Sequence, residues 1–384
     1  FYDPGMHGVD WDDVYTKYNV LVPHIAHRSD LAYITGEMIG ELNVGHAYSQ
    51  NGEKPEPERI KTGLLGAKLS LDKSGYFRID EILKGANWSK QLHSPLRAVG
   101  VDVNEGDYII SVDGVDVTTT NDIYQLLVGK ANTEVLLEVN SKPSASGSRE
   151  VLVNTIADES ALYYHKWVHG NIAKVSEQSD GKVGYLHIPD MGVDGLNEFA
   201  KYYYPQLRKE GLIIDVRGNG GGNVSPMIIE RLMRQLTYMT MHTGQQEGDP
   251  NPVGMHIGPK VTLLDKYSAS DGDLFPYRFQ VNKIGKTIGT RSWGGVVGYS
   301  GAIPLIDGGS IVTPSYAPYD KDGKEFIIEG RGVVPDIIIE NDPAEQYKGI
   351  DAQLNKAVEV VLDELKANPV KYPAIPAFPD KTGK

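Results

Sequence analysis

Two short stretches of this sequence carry residue types and spacings suited to acyl transfer. The first, Asp215-Val-Arg-Gly-Asn-Gly-Gly-Gly-Asn, follows an apolar run that reads as a buried strand and precedes a helical one. Consecutive glycines there let main-chain N–H groups approach a ligand closely and point at an anion beside a helix N-terminus. A phosphate loop would need Gly-Lys-Ser/Thr, and the spacing departs from Gly-x-Gly-x-x-Gly. A hole for an oxyanion is therefore the functional reading of this loop, and a plain turn is its alternative. The second, Tyr267-Ser-Ala-Ser-Asp-Gly-Asp, follows the run Val261-Thr-Leu-Leu-Asp. A serine at such a strand-to-helix turn lies at the C-terminal edge of a sheet, with the next N–H beside it. Ser270 is thus a candidate nucleophile, although taken alone it also reads as a helix cap.

With no cysteine in the chain, a thiolate nucleophile, disulfides and thiolate metal sites are excluded. The histidines show no His-Glu-x-x-His or comparable ligand spacing, so no metal site is expected. The 384 residues carry 38 Lys+Arg against 51 Asp+Glu, a net charge of −13. That balance lacks the basic footprint needed to neutralise phosphates, which argues against a nucleic-acid partner. No run approaches the roughly 18 apolar residues that span a bilayer, so membrane insertion is not expected. The chain opens on Phe1 without an apolar signal stretch, and the expectation is a fragment of something longer, or a mature product.

The elements that must position these residues fall into distinct regions. Leu31, Ile34, Met38 and Leu42 recur at helical spacing, with Ser29 placed as the N-cap, so residues 1–60 read as a small helical subdomain. It ends in the polar, proline-bearing stretch Asn51-Gly-Glu-Lys-Pro-Glu-Pro-Glu, a linker with a boundary near 52–60. Residues 61–156 change to short β-type runs at 75–83, 108–112 and 134–139, with a helical Asn121-Asp-Ile-Tyr-Gln-Leu-Leu between the last two. Ser141–Ser148 is a hairpin tip or loop. From 157 to 368 strands alternate with helices: Gly184-Tyr-Leu-His-Ile, Leu196–Lys209, Gly211-Leu-Ile-Ile-Asp-Val, Ser225–Leu236, Val261-Thr-Leu-Leu-Asp and a final helix Ala352–Ala367. That order predicts an α/β domain with a largely parallel sheet. The tail 369–384 is too proline-rich for regular structure.

The middle region resembles a PDZ domain, through Gly63-Leu-Leu-Gly-Ala, Ser94-Pro-Leu-Arg-Ala-Val-Gly-Val and Gly106-Asp-Tyr-Ile-Ile-Ser-Val-Asp-Gly-Val. The resemblance implies a groove between a strand and a helix that takes an extended peptide or chain terminus. Gly63, Leu64, Leu65 and Gly66 match its carboxylate-binding loop. Asp215–Asn223, then Ser268-Ala-Ser, then Gly330-Arg-Gly-Val-Val-Pro-Asp match in order and spacing the serine peptidases related to the C-terminal processing proteases. More closely, Tyr2-Asp-Pro-Gly-Met-His-Gly-Val-Asp-Trp, Gly184-Tyr-Leu-His-Ile-Pro-Asp-Met and Glu329-Gly-Arg-Gly-Val-Val-Pro-Asp resemble the tricorn protease branch over essentially the whole chain.

The resemblance implies roles. Ser270 matches the nucleophile, and the N–H groups of Asp271 and of the loop containing Gly221 and Gly222 match the oxyanion hole. His46 matches the general base and Glu329 the carboxylate of the family's tetrad. The fourth member is a serine just before the histidine, and here that position is Gly45. Serine, imidazole and carboxylate form the minimum set for acyl transfer. The processing proteases use a lysine some two dozen residues after the serine, but Thr290-Arg-Ser-Trp-Gly-Gly has none, which favours His46. A water could replace the hydroxyl missing at Gly45.

The fold class implied is multidomain α+β, with a helical N-terminal subdomain, a PDZ-like module and a crotonase-like α/β catalytic domain. The function implied is a serine peptidase acting on oligopeptides, without a cofactor. The family also implies a homo-oligomer, commonly a hexamer, and β-propeller domains ahead of this region in a longer parent chain. A cytoplasmic location is expected unless a signal peptide has been removed. Two other classes stay open: a non-catalytic PDZ-type scaffold with a decayed site, which Gly45 favours, and a crotonase-type acyl-CoA enzyme, which would need neither Ser270 as nucleophile nor a PDZ-like module.

Overall fold

The structure, a computed structural model, describes residues 1–383 except 51, 54 and 55; those three positions of the expected linker lie outside the described residues. The chain forms two compact units, Phe1–Pro55 with Ile172–Lys384, and Glu56–Asn171. The N-terminal segment, read above as a subdomain of its own, packs in the same unit as the α/β region. No helix among the described residues is long and apolar enough to cross a membrane.

The larger unit is built on a five-stranded parallel sheet. Its order is Ile337–Ile338, Gly285–Gly289, Lys260–Leu264, Gly211–Asp215, Val183–His187. The last three strands are buried at every residue, which is why they read as continuous apolar runs and not as alternation. Helix Ala352–Ala367, found at the expected bounds, starts on an Asp351 cap that accepts the Leu354 N–H at 3.0 Å. Its Leu354, Ala357, Val358 and Val361 join Val183, Ile213, Val261 and Ile288 in one core. Gly211 lets this helix close on the sheet, because a Cβ there would collide with Val361. Truncating a core side chain such as Ile213 to alanine would cost about 2–5 kcal/mol.

A second sheet in this unit carries no obvious sequence signal. Tyr48–Gln50 pairs antiparallel with Ser310–Val312, which pairs with Ala302–Pro304, in the register Tyr48↔Val312 and Gln50↔Ser310. Arg28 also forms an ion pair with Asp307. These long-range contacts fix the segment that follows the helix Arg28–Gly40. That helix begins one residue before the expected cap at Ser29: His27 stands at the N-cap, and Asp30 reaches back to accept the N–H groups of Ala26 and His27 at 2.9 and 3.1 Å.

The smaller unit is an antiparallel sheet in the order Ala67–Leu71, Phe77–Ile82, Tyr108–Val112, Glu134–Asn140, Arg149–Asn154, with Val115–Asp116 hairpinned onto Tyr108–Val112. Phe77 and Ile79 alternate inward, Ile82 follows them past a register shift in the pairing with Ala67–Leu71, and all three meet Val135, Leu137, Val139 and Val153 in a core of their own. The segment 141–148 is the hairpin tip. The helix expected over 121–127 is a shorter 3₁₀ turn, Ile123–Leu127, capped by Asp122 through the Tyr124 N–H at 3.0 Å.

Candidate active site

The strand Lys260–Leu264 runs out into the turn at 265–270, and helix Asp271–Val281 starts at once. Ser270 occupies the N-cap position with φ 58° and ψ −121°, yet its side chain makes no capping bond. A non-glycine residue in that region is strained by about 1–3 kcal/mol and persists only where its surroundings hold it. The surroundings do so from three sides. Ala269 donates its N–H to the Asn219 carbonyl at 2.8 Å, Ser268 donates its hydroxyl to the Val216 carbonyl at 2.9 Å, and Trp293 donates its N–H to the Ser268 carbonyl at 2.9 Å. On the helix side, the Asp271 carboxylate accepts the Ser225 N–H at 2.8 Å, the Ser225 hydroxyl at 2.6 Å and Arg278 at 2.8 Å. Ser270 is half-buried, and its hydroxyl has no hydrogen-bond partner among the described residues.

The glycine loop is held against this turn. At its base Asp215 is fully buried, bound by Arg217 and by the Tyr185 hydroxyl at 2.8 Å, and Arg217 reaches on to Asp351 at 2.9 Å. Burial would raise the Asp215 carboxyl, but the Arg217 guanidinium overrides it and holds it below the usual carboxylate range. Breaking such a buried pair costs about 3–5 kcal/mol, so the strand end from which the loop springs is rigid. Gly221, at φ 101°, makes the closest approach: a Cβ there would lie 2.6 Å from Ser270 Cβ and 2.9 Å from the Asp271 nitrogen. The Gly221 N–H is donated to Asn219 Oδ1 at 2.9 Å, and Asn219, itself buried, donates Nδ2 to the Ile188 carbonyl at 2.9 Å. Among the described residues, no acceptor takes the N–H groups of Gly222 or Asp271.

His46 stands at φ 55° on the irregular segment between the helix Arg28–Gly40 and the strand Tyr48–Gln50. Its ring is half-buried against Tyr299, Tyr48 and Trp293, with centroids at 5.9, 6.2 and 6.3 Å. Nδ1 is buried without a hydrogen-bond partner among the described residues. Burial pushes the imidazole below its ordinary pKa, while the charges of Glu329 and Asp273 work in the opposite direction. Glu329 Oε1 accepts the Gly45 N–H at 2.9 Å, and Oε2 accepts those of Val296 and Val297 at 2.6 and 2.9 Å. The carboxylate therefore grips the backbone on the N-terminal side of His46.

Asp273, which sequence reasoning did not single out, is the other half of this arrangement. It is fully buried, and its oxygens accept the N–H groups of Gly294 and Gly295 at 2.8 and 3.2 Å. Burial raises its carboxyl, and the Ser292 hydroxyl with the neighbouring N–H groups restrains the rise. The N–H groups of residues 294 to 297 are thus divided between a carboxylate on the Ser270 helix and the carboxylate that holds Gly45. This segment adjoins the stretch where the sequence lacks a lysine, and its main chain links the helix that follows Ser270 to the carboxylate that holds Gly45. The only advance signal for Asp273 was its place in the first turn of a helix, where a carboxylate is ordinarily a cap. Asn219 was visible only as a member of the glycine loop.

In the smaller unit, the loop at Gly63–Gly66 is largely committed: Gly63 donates its N–H to the Leu127 carbonyl, Leu64 to the Ile156 carbonyl and Gly66 to Glu159 Oε1, each at 2.8 Å. Leu65 lies in the core, 1 % exposed.

Comparison with known proteins agrees with this layout. Residues 1–40 match the tricorn protease C1 domain, 63–158 the tricorn protease PDZ domain and 182–339 peptidase family S41. A tricorn protease of Thermoplasma volcanium is 37 % identical over 363 residues, 94 % of this chain and 35 % of the relative. Tricorn protease homolog 1 of Streptomyces coelicolor is 36 % identical, over 97 % of this chain and 34 % of its own length. A crystal structure of the tricorn protease superposes with a TM-score of 0.84 at 34 % identity, covering 92 % of this chain and 34 % of that one. The chain spans about a third of the length of these relatives.

Proposed function

The chain belongs to the tricorn proteases, within the reach of peptidase family S41, and from that premise we propose that it hydrolyses peptides through an acyl-enzyme on Ser270. In this reading the neutral His46 imidazole removes the Ser270 hydroxyl proton as the oxygen attacks a peptide carbonyl, then returns it to the leaving amine. The carbonyl oxygen, now an anion, is received by the N–H groups of Asp271 and Gly222, and Gly221 brings the loop close enough for this. Each such donor contributes about 2.7–4 kcal/mol to the transition state. Glu329 positions the base through Gly45. No cofactor is required by these steps.

The observation that carries the proposal is Ser270 itself, strained at φ 58° on a helix start with an uncommitted hydroxyl beside the glycine loop. The parallel sheet supports reading the catalytic unit as crotonase-like. Oligopeptide substrates, a homo-oligomer, a parent chain with additional domains and a cytoplasmic location are the corresponding proposals for the whole protein. Hydrolysis of fluorogenic peptides by the wild type and by Ser270→Ala tests the assignment. The substitution should abolish turnover with an unchanged circular-dichroism spectrum, and a fully active variant would remove Ser270 from the mechanism.

A further inference from the structure

The loop Gly63-Leu-Leu-Gly-Ala, with Gly66 at φ 68°, is a turn of the kind whose main-chain N–H groups can hold a carboxylate. In this chain a carboxylate is already there. Glu159 Oε1 accepts the Gly66 N–H at 2.8 Å, and the Ala67 N–H is the next along the chain. Burial raises the Glu159 carboxyl, and those two N–H groups pull it back.

The residues after Glu159 pack beside the edge strand of the sheet and its neighbour. The strand Ala67–Leu71 is the edge of its sheet, with nothing paired on its outer side among the described residues. Leu162, 1 % exposed, would stand 3.3 Å from a Cβ placed on Gly66. The Tyr163 ring lies under Lys68 Nζ at 6.0 Å, and Lys166 forms an ion pair with Glu81 on the neighbouring strand. Tyr124 of the turn Ile123–Leu127 is pushed up by burial and by the nearby Glu159 charge. The loop is also locked to the segment just before Glu159, since Leu64 and Ile156 exchange both N–H···O bonds at 2.8 and 3.0 Å.

We infer that the Gly63–Ala67 loop is a carboxylate site whose ligand is internal: Glu159 occupies it in the place of a peptide's terminal carboxylate, so that an outside chain end binds only when the Glu159 side chain is removed or displaced. The inference is independent of the peptidase reading, because its readout is binding and not turnover.

The test uses the full chain in a Ser270→Ala background, so that the probe is not consumed. Fluorescence anisotropy is measured with a labelled pentapeptide ending in a leucine carboxylate and with the same peptide as its C-terminal amide. The wild-type loop should bind neither appreciably. Glu159→Ala should bind the free acid at least tenfold more tightly than the amide, and Glu159→Gln, which keeps the shape without the charge, should show the same preference to a smaller degree. If Glu159→Ala loses its cooperative melt, Glu159→Gln decides the matter. Equal binding of the free acid with and without Glu159 would overturn the inference, and so would folded variants that bind acid and amide alike.

Discussion

Replacing Glu329 with glutamine separates two ways in which a carboxylate can serve a catalytic histidine. Glu329 holds the Gly45 N–H on one oxygen and the Val296 and Val297 N–H groups on the other. A glutamine keeps one acceptor oxygen and turns an amide NH₂ towards an N–H donor. If the oxygen stays with Val296 and Val297, the bond to Gly45 is lost. A hydrogen bond to a charged acceptor contributes about 1.5–3 kcal/mol. At 1.36 kcal/mol per tenfold in rate, loss of the bond next to His46 predicts a fall in kcat of about 10- to 150-fold with KM little changed. A carboxylate bound directly to the imidazole would cost about 10⁴ when changed to its amide. The assay is steady-state hydrolysis of a fluorogenic peptide across pH, with thermal melts to show that the fold is kept. Because the Glu329 charge raises the His46 pKa, the activity midpoint of Glu329→Gln should also move to lower pH. A loss near 10⁴ would refute positioning through Gly45, and an unchanged kcat and midpoint would remove Glu329 from the site.

The wild-type pH profile should rise through a midpoint below about 6.5, since burial disfavours the charged imidazole and the active base is neutral; a midpoint above that value would contradict the burial of His46. Gly45→Ser should leave kcat/KM equal or raise it. The position is outside the left-handed region, and its Cβ would lie 3.0 Å from Glu329 Oε1 and 3.3 Å from Gly295 Cα, leaving the hydroxyl beside a carboxylate that needs to shift only slightly; a large loss in the same assay would show that the backbone there requires glycine. Gly221→Ala should lower kcat by about 100-fold, the scale of a misplacement of about 1 Å, because its Cβ overlaps Ser270 Cβ; unchanged kinetics would mean that the loop is not held against the nucleophile.

What the sequence could reveal followed from locality. The buried strands Gly211–Asp215 and Lys260–Leu264 are apolar runs next to turn signals, so the turns at their ends, which carry the glycine loop and the candidate Ser270, could be placed from sequence alone. Helix Ala352–Ala367 carries its own cap and stripe. His46 and Glu329 entered as candidates only through resemblance, because the Glu329 carboxylate meets the residue before His46 across more than 280 positions, and short strands such as Tyr48–Gln50 have no periodicity to read. Asp273 and Glu159 were missed for a related reason: a carboxylate whose partners are main-chain N–H groups elsewhere in the chain looks like any helix-start acid. Asp215 and Arg217 were read as parts of a binding loop, and their burial and pairing make them its anchor.

The most direct test of the account is whether Ser270 is an activated nucleophile. The protein is incubated with a small serine-reactive phosphonate, weighed intact by mass spectrometry and digested to map any adduct, with Ser270→Ala and His46→Ala alongside. The account predicts one adduct, on Ser270, absent from Ser270→Ala and formed far more slowly in His46→Ala. An unlabelled wild-type protein, or an adduct on another residue, would contradict it.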